Sequence, residues 1–252
     1  MANKIAVVTG ASRGLGRDMA ISLAAKVNDI VLTYSTSEQE AKAVAEEIRA
    51  MGRKAAVIQL DMSKMSSIDP FISSLTASLT EISGQAKFDY LINNAGIGAT
   101  IPIADVTEEI FDKFLNIHFK GVYFLTQKCL PMINNNGSVV FISSGSVRFS
   151  VPGYSVYSSM KAAIENFTKF VAKEYGSRGI RSNVVAPGPV ETDFNNAMIR
   201  NNPQAKTFLS SMSPLGRVGA ADDIGSVVAF ICSDEAKWIN GQRLEVSGGI
   251  NL

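Results

Sequence analysis

Seven short apolar runs, separated by longer stretches with helical spacing, constrain the fold of this chain most strongly. The runs cover residues 5–9, 30–34, 55–60, 90–92, 138–143, 181–185 and 242–246. Several are continuously apolar rather than alternating, which is typical of parallel strands covered on both faces. The repetition of strand and helix predicts an α/β fold with right-handed crossovers: a single doubly wound, Rossmann-type parallel sheet with helices on both faces.

The segment after Ser37 gives the clearest helix signal. Residues 37–40 read Ser-Glu-Gln-Glu, a capping-box pattern, and Gly52 supplies a stop after an apolar face with helical spacing. No linker, low-complexity tract or internal repeat interrupts the chain. We therefore expect one domain over residues 1–252, long enough to bury a large core without disulfides or metal.

Charge and composition argue against several classes of partner. The 24 Lys and Arg residues against 23 Asp and Glu give a formal charge of +1, without a basic block, so attraction to nucleic acid or anionic membrane is not expected. No apolar run approaches the ~18 residues of a membrane span, and the N-terminal MANKIAVVTG lacks the apolar length of a signal peptide. Cys129 and Cys232 have no metal-ligand spacing and fit a reducing compartment. A cytoplasmic protein without a metal site is expected.

A glycine-rich turn, TGASRGLGRDMA, directly follows the first predicted strand. Gly10, Gly14 and Gly16 have the spacing G-x-x-x-G-x-G rather than G-x-G-x-x-G. Such glycines let backbone N–H groups approach phosphate oxygens at the positive end of the following helix. Three glycines can also merely shape a strand-to-helix turn, but the strand before and the helix after favour a dinucleotide site.

The end of the second predicted strand distinguishes NAD from NADP. NAD sites usually carry a carboxylate there for the ribose 2′-hydroxyl, whereas this chain has Ser35 and Thr36. Arg13, inside the glycine turn, can meet a 2′-phosphate. We therefore expect NADP(H), with NAD possible and with a solvated Arg13 as the alternative.

Tyr157 and Lys161 are four residues apart in a predicted helix, so their side chains point the same way. A neighbouring ammonium favours the phenolate, and we expect Lys161 to lower the pKa of Tyr157 toward a useful range. Ser144, at the end of a strand, can donate to a substrate carbonyl oxygen. Taken alone, most such Tyr and Lys pairs are surface neighbours on a helix.

Five motifs occur in one order along the chain. They are the turn at 9–16, Leu60-Asp61-Met62, Asn93-Asn94-Ala95-Gly96, the spacing of Ser144, Tyr157 and Lys161, and the Pro-Gly-x-x-x-Thr loop at 187–192. From end to end the chain resembles the short-chain dehydrogenase/reductase family, and its segment from PLGRVG to SGGINL is similar to ketoacyl-reductase members.

The resemblance implies hydride transfer between a nicotinamide and a carbonyl or secondary alcohol of a small molecule. Tyr157 would be the acid-base group, Ser144 would polarise the substrate oxygen, and Lys161 would hold the nicotinamide ribose. A homotetramer or homodimer is also implied. The residues implied in cofactor binding are Gly10, Ser12, Arg13, Gly14, Leu15, Gly16, Ser35, Thr36, Asp61, Met62, Asn94, Ala95, Gly96, Tyr157, Lys161, Pro187, Gly188, Val190 and Thr192.

His118, the only histidine, departs from the family pattern. It occupies the place of a catalytic asparagine that acts largely through its backbone carbonyl in a proton relay. His118 could preserve that relay, extend it with its imidazole or weaken it. The favoured interpretation is a packed histidine with an intact backbone contact.

The sequence does not decide between two classes of substrate. Lys173 lies roughly where relatives dock an acidic carrier protein, but the second such region, residues 134–137, is uncharged, so free ketones are at least as favoured as 3-oxoacyl thioesters. Residues 194–212 would form the substrate lid, and Arg148 and Phe149 could line the pocket or a surface loop. A dinucleotide-binding protein without turnover and a sugar-nucleotide epimerase are further alternatives.

Overall fold

A computed structural model describes residues 3–26 and 28–252. Met1 and Ala2, which belong to the N-terminal segment discussed above, lie outside the described residues. The strands form one parallel sheet in the order β3-β2-β1-β4-β5-β6-β7, which confirms the predicted doubly wound α/β fold. Their bounds are β1 Ile5–Val8, β2 Asp29–Tyr34, β3 Ala55–Gln59, β4 Phe88–Asn93, β5 Ile133–Ile142, β6 Arg181–Pro187 and β7 Arg243–Val246.

The helices connect and cover these strands. Their bounds are α1 Gly14–Ala25, α2 Glu38–Ala50, α3 Ile68–Ser83, α4 Glu108–Leu115, α5 Gly121–Cys129, α6 Ser155–Tyr175, α7 Phe194–Asn201, α8 Pro203–Ser211 and α9 Asp222–Cys232. A π-helical turn, Asn116–Lys120, joins α4 to α5. No helix within residues 3–26 and 28–252 is both long enough and apolar enough to cross a membrane.

Successive strand residues face two separate apolar cores. In β1, Ile5 and Val7 belong to the core beneath α3, α5 and α6, whereas Ala6 and Val8 belong to the core beneath α1, α2 and α9. Both faces of the sheet are therefore buried, which is the physical reason for the continuous apolarity of its strands.

Strand order reverses between β1 and β4, because β2 and β3 lie on one side of β1 and the later strands lie on the other. In open parallel sheets, ligands bind outside the carboxyl ends of the strands at such a switch point. The glycine turn follows β1, and residues 94–96 follow β4, so both lie at this position.

The fifth strand begins earlier than the sequence indicated. Ile133 already pairs with Phe88, and the register then shifts between Phe88 and Tyr90. Asn136 has φ +64°, a conformation that asparagine tolerates better than most residues. Polar residues can therefore form the start of a strand that is otherwise buried, because the register shift and the positive φ accommodate them.

The predicted α2 helix starts and stops where the sequence indicated. It begins at Glu38, and Gly52 adopts φ +76° after its end. The capping box itself is wrong, because the Ser37 side chain makes no capping hydrogen bond. Glu38 instead pairs with Lys42 at 2.6 Å, one helical turn away.

Candidate active site

The glycine turn packs directly on the segment that follows β4. A Cβ on Gly10 would lie 2.9 Å from Cα of Ala95, and a Cβ on Gly16 would collide with the Gly10 carbonyl oxygen. Gly10 also has φ +63°, a region that favours glycine. Larger residues at these positions would open the turn, so the backbone cradle depends on the absence of side chains.

Two threonines fix this cradle: Thr9, which the sequence analysis placed in the turn motif without a role, and Thr33, which it did not select. The Thr9 hydroxyl accepts hydrogen bonds from the backbone N–H groups of Asn94 at 2.9 Å and Ala95 at 3.0 Å. The Asn94 amide donates to the Thr9 carbonyl oxygen at 2.9 Å. The Thr33 hydroxyl accepts from the N–H of Gly10 at 3.1 Å. The pattern that could have indicated them is a hydroxyl residue at the end of each of the two strands beside the turn.

The loop after β6 closes the third side of the cradle. The N–H of Gly188 donates to the Val246 carbonyl oxygen at 3.0 Å, and Val190 forms a parallel bridge with Gly219. Thr192 is buried, and a Cβ on Gly14 would lie 3.6 Å from its Cβ. The structure therefore brings the Pro187–Thr192 segment against the glycine turn.

The predicted nucleotide end is formed by loops after β2 and β3. Ser35 follows β2, and its carbonyl oxygen accepts from the Gln59 amide at 3.0 Å; Thr36 is the next residue. Ser63 donates to Asp61 from its hydroxyl at 2.6 Å, and this hydrogen bond is the main reason that the pKa of Asp61 is lowered. The Met62 side chain is buried in the core, which leaves its backbone for a ligand.

The start of α1 carries the remaining residues predicted for the cofactor. Arg13 is the N-cap residue with extended backbone, and its side chain makes no capping hydrogen bond. Ser12 is half-buried beside it, and Leu15 packs against the core beneath α1. Arg13 is thus the cation placed at the helix N-terminus.

Tyr157 and Lys161 are both buried on the first turns of α6. The Lys161 ammonium donates to the Ile142 carbonyl oxygen at 2.7 Å and lies 5.6 Å from the centroid of the Tyr157 ring. Burial lowers the pKa of Lys161 to about 8. Burial also raises the pKa of Tyr157, although the Ser144 hydroxyl acts in the opposite direction. The predicted lowering of the Tyr157 pKa by Lys161 is therefore wrong for this structure, because desolvation of the phenolate dominates.

A chain of three serine hydroxyls ends at Ser144. Ser158 donates to the Ser146 hydroxyl at 2.8 Å, and Ser146 donates to the Ser144 hydroxyl at 3.0 Å. The N–H of Ser146 also donates to the Ser144 oxygen at 3.2 Å. A serine oxygen has two acceptor positions and one proton, so Ser144 has its own proton left to donate. The sequence analysis did not identify Ser146 and Ser158. The pattern that could have indicated them is a serine two residues after Ser144 and another directly after Tyr157.

His118 lies in the π-helical turn with only 1% of its surface exposed. Its Nε2 is 2.9 Å from the Ile97 carbonyl oxygen, and its ring meets the Tyr157 ring edge-on at 5.2 Å between centroids. Burial, and then the charge of Lys161, hold its pKa well below the usual value. A Cβ on Gly96 would lie 2.8 Å from Cε1 of His118, so the imidazole requires glycine at position 96.

Arg243, in the edge strand β7, braces the strand end that carries Ser144. Its guanidinium donates to Glu165 of α6 at 2.8 Å, to Glu245 at 3.1 Å and to the Ser144 carbonyl oxygen at 3.2 Å. Arg148 also pairs with Glu245, at 3.1 Å. The charges of Arg243, Glu165 and Glu245 were not selected from the sequence.

The outer predicted residues are less enclosed. The Arg148 guanidinium lies 5.2 Å from the Phe149 ring centroid. Lys173 is exposed on α6.

Among residues 3–26 and 28–252, no group of three or more His, Cys, Asp or Glu side chains is arranged to hold a metal ion.

Comparison with known proteins shows which family the chain resembles. A family model described as enoyl-(acyl carrier protein) reductase matches residues 10–251. The hydroxynaphthalene reductase-like protein Arp2 of Metarhizium majus is 34% identical over 260 residues, covering 99% of this chain and 95% of the relative. The 3-oxoacyl-[acyl-carrier-protein] reductase FabG of Staphylococcus epidermidis is 35% identical over 252 residues, covering 99% of this chain and 100% of the relative.

A solved structure gives the same result. The angucycline C-6 ketoreductase LanV with bound NADP superposes with a TM-score of 0.93 at 33% identity, covering 98% of this chain and 95% of that one. The chain belongs to the short-chain dehydrogenase/reductase family. It is accordingly an oxidoreductase of carbonyl and hydroxyl groups.

Proposed function

We propose that the protein is an NADP(H)-dependent carbonyl reductase for small-molecule ketones, built as one domain over residues 1–252. The observation that carries the proposal is the convergence of Ser144, Tyr157 and Lys161 at the end of the sheet where the glycine turn lies. A hydrogen-bond donor, a proton source and a buried ammonium then surround one substrate oxygen.

The residues at the switch point fit NADP(H). The glycine turn offers backbone N–H groups without side chains in the way, and Arg13, Ser35 and Thr36 would meet the 2′-phosphate where a carboxylate would repel it. Asp61, Asn94 and the 187–192 loop would hold the remaining parts, together with Lys161 and Tyr157. When bound, NADP(H) supplies or accepts the hydride. The NADP bound by LanV supports this choice.

The proton chemistry of the site favours reduction. Burial keeps Tyr157 protonated at neutral pH, so it can donate a proton to a carbonyl oxygen. Ser144 donates to the same oxygen, because the chain from Ser146 and Ser158 fills its acceptor positions. Lys161 would bind the nicotinamide ribose, and its ammonium would stabilise the phenolate that remains after proton transfer.

His118 acts in this proposal as a positioning residue with an uncharged imidazole. Nε2 lies 2.9 Å from the Ile97 carbonyl oxygen and 3.3 Å from the Ile97 backbone nitrogen, and in the tautomer with its proton on Nε2 the imidazole donates to that carbonyl oxygen. Its ring meets the Tyr157 ring and supports it, and the backbone carbonyl of His118 would keep the contact in the proton relay.

Three other functions are tested alongside. A 3-oxoacyl thioester substrate is supported by the likeness to FabG. A dinucleotide-binding role without turnover would leave the site inert, and a sugar-nucleotide epimerase would act on another substrate class.

A homotetramer or homodimer in the cytoplasm remains our proposal for the assembly, supported by the exposed aromatic side chains of Phe124, Phe170 and Trp238.

The test is NADPH oxidation with free ketones and a 3-oxoacyl thioester, using wild-type protein and Tyr157→Phe. A sugar nucleotide is incubated separately with oxidised cofactor and its products are analysed, because epimerisation consumes no net NADPH. We expect turnover of free ketones that falls by at least about 100-fold in Tyr157→Phe, while NADPH still binds with similar affinity by fluorescence titration. Turnover of the thioester alone would assign the acyl substrate. Full activity in Tyr157→Phe would contradict the acid-base role.

The 2′-phosphate contact has its own test. Arg13→Ala removes a charge-assisted hydrogen bond, so its Kd for NADPH should rise roughly ten- to hundredfold, with little change for NADH. Arg17→Ala is the matched control, since Arg17 lies on the same helix and pairs with Glu47 at 2.6 Å. Equal losses of both cofactors in Arg13→Ala would refute the contact.

A further inference from the structure

Two aromatic rings flank Tyr157 at the mouth of the site. The Tyr154 ring meets the Tyr157 ring edge-on at 6.1 Å between centroids, and the Phe194 ring lies at 6.0 Å with an angle of 54° between planes. A carbonyl compound whose oxygen is bound by Tyr157 and Ser144 must place the rest of its skeleton beside these rings.

The position of the Phe194 ring is fixed by its neighbours. A Cβ on Gly98 would lie 2.6 Å from Cζ of Phe194, so the ring rests directly on the Gly98 backbone. The N–H of Phe194 donates to the Thr192 hydroxyl at 3.2 Å, which ties the start of α7 to the loop after β6. The ring is thus held over the mouth, although 43% of Phe194 is exposed.

The Tyr154 ring is held by a polar contact at its far end. The Asn195 amide donates to the Tyr154 hydroxyl at 2.9 Å, and the Thr100 hydroxyl donates to the same oxygen at 3.4 Å. The backbone N–H of Ile101 donates to the Gly153 carbonyl oxygen at 2.8 Å. The loop after β4, the start of α6 and the start of α7 therefore meet at one hydroxyl, and the ring of Tyr154 is left as an apolar wall.

We infer that Phe194 and Tyr154 form an aryl-binding subsite, and that the enzyme selects ketones with a flat aromatic ring next to the carbonyl. The inference rests on the proposed reductase function. An aryl ring gains edge and face contacts with both rings, whereas a saturated ring of the same outline gains only buried area. Such contacts correspond to about a three- to tenfold preference for each ring pair.

The test compares α-tetralone with its saturated counterpart α-decalone as substrates for NADPH oxidation. The ratio of their kcat/KM values is measured in wild type and in Phe194→Leu, so that the different intrinsic reactivity of the two ketones cancels. We expect the ratio to fall about three- to tenfold in Phe194→Leu, chiefly through a higher KM for α-tetralone. Phe194→Tyr, which keeps the ring, should retain the ratio.

Glycine variants test the same ring without altering it. Gly98→Ala would displace Phe194 and should lower the ratio as Phe194→Leu does. Gly176→Ala is the matched control, because a Cβ there meets nothing within 4 Å.

An unchanged ratio in Phe194→Leu, or turnover of α-decalone alone, would overturn the aryl subsite and leave the reductase intact. Failure of wild type to oxidise NADPH with any ketone would overturn the proposed function, and the subsite with it.

Discussion

At the scale of single residues, His118 shows how burial decides protonation. In the unfolded chain its imidazole takes up a proton near pH 6.5, whereas in the folded protein its pKa lies well below that value. The unfolded state therefore binds more protons as the pH falls below 6.5, and acid selectively stabilises it. The contribution of His118 to stability is present above pH 6.5 and is lost below it.

His118→Asn isolates this effect, because it removes the only histidine and keeps every carboxylate. Between pH 7.5 and pH 5.0, wild type should lose unfolding free energy relative to the variant, up to about 2 kcal/mol, the limit that the unfolded pKa of about 6.5 sets. Urea unfolding at the two pH values measures the difference. A difference independent of pH would mean that the folded protein protonates His118 as readily as the unfolded chain does.

The sequence identified His118 as a departure from the family but not its contacts. Which way the ring points depends on the π-helical turn and on the missing side chain of Gly96, and neither follows from helical periodicity. The pKa of Tyr157 was mispredicted for a related reason. Sequence spacing shows that Lys161 is near, but only the packed structure shows how completely the phenol is buried.

At the scale of elements, the Arg243 guanidinium joins α6 and β7 to the end of β5. Arg243→Ala would leave Glu165 without its cation in a half-buried place and Glu245 with Arg148 alone, so we expect a loss of about 2 kcal/mol of unfolding free energy. The Ser144 carbonyl oxygen would also lose a donor, so kcat should fall with little change in KM for NADPH. Urea unfolding and steady-state kinetics measure the two effects.

Lys42→Ala is the control for that prediction. It removes an exposed pair with Glu38 on α2, which should change the unfolding free energy little and leave kcat unchanged. If Arg243→Ala costs no more than Lys42→Ala, the bracing role is wrong.

The seven strands within the described residues could be predicted because burial on both faces leaves an unbroken apolar signal. Their ends could not, as β5 shows, since pairing with β4 extends that strand through asparagines that local preference assigns to a loop. The contacts of Arg243 could not be predicted either, because most of its partners are far away in sequence and come together only through the order of the strands in the sheet.

At the scale of the whole molecule, the two buried thiols report on the two cores. Cys129 belongs to the core beneath α5 and Cys232 to the core beneath α9, on opposite faces of the sheet. Burial raises the pKa of each thiol to about 12, so both should be unreactive until the structure opens.

Cys129→Ala and Cys232→Ala each leave one thiol for labelling in low urea. If residues 1–252 open as one cooperative domain, the opening free energy from labelling should equal the global unfolding free energy in both variants, within about 0.5 kcal/mol. The denatured chain supplies the intrinsic labelling rate. A much lower opening free energy for one thiol would show that one face of the sheet opens separately.

The π-helical turn has a consequence for how this chain can change over evolutionary time. The N–H of Gly121 reaches back to the Asn116 carbonyl oxygen, so the helix accommodates one residue more than α-helical geometry allows. Deleting one residue of the turn would restore regular α-helical geometry and leave both flanks in place, but it would change the directions in which the remaining side chains of the turn point, His118 among them. Lineages that keep the pairing of imidazole and phenol should therefore tolerate substitutions in α4 and α5 far better than single-residue deletions between them.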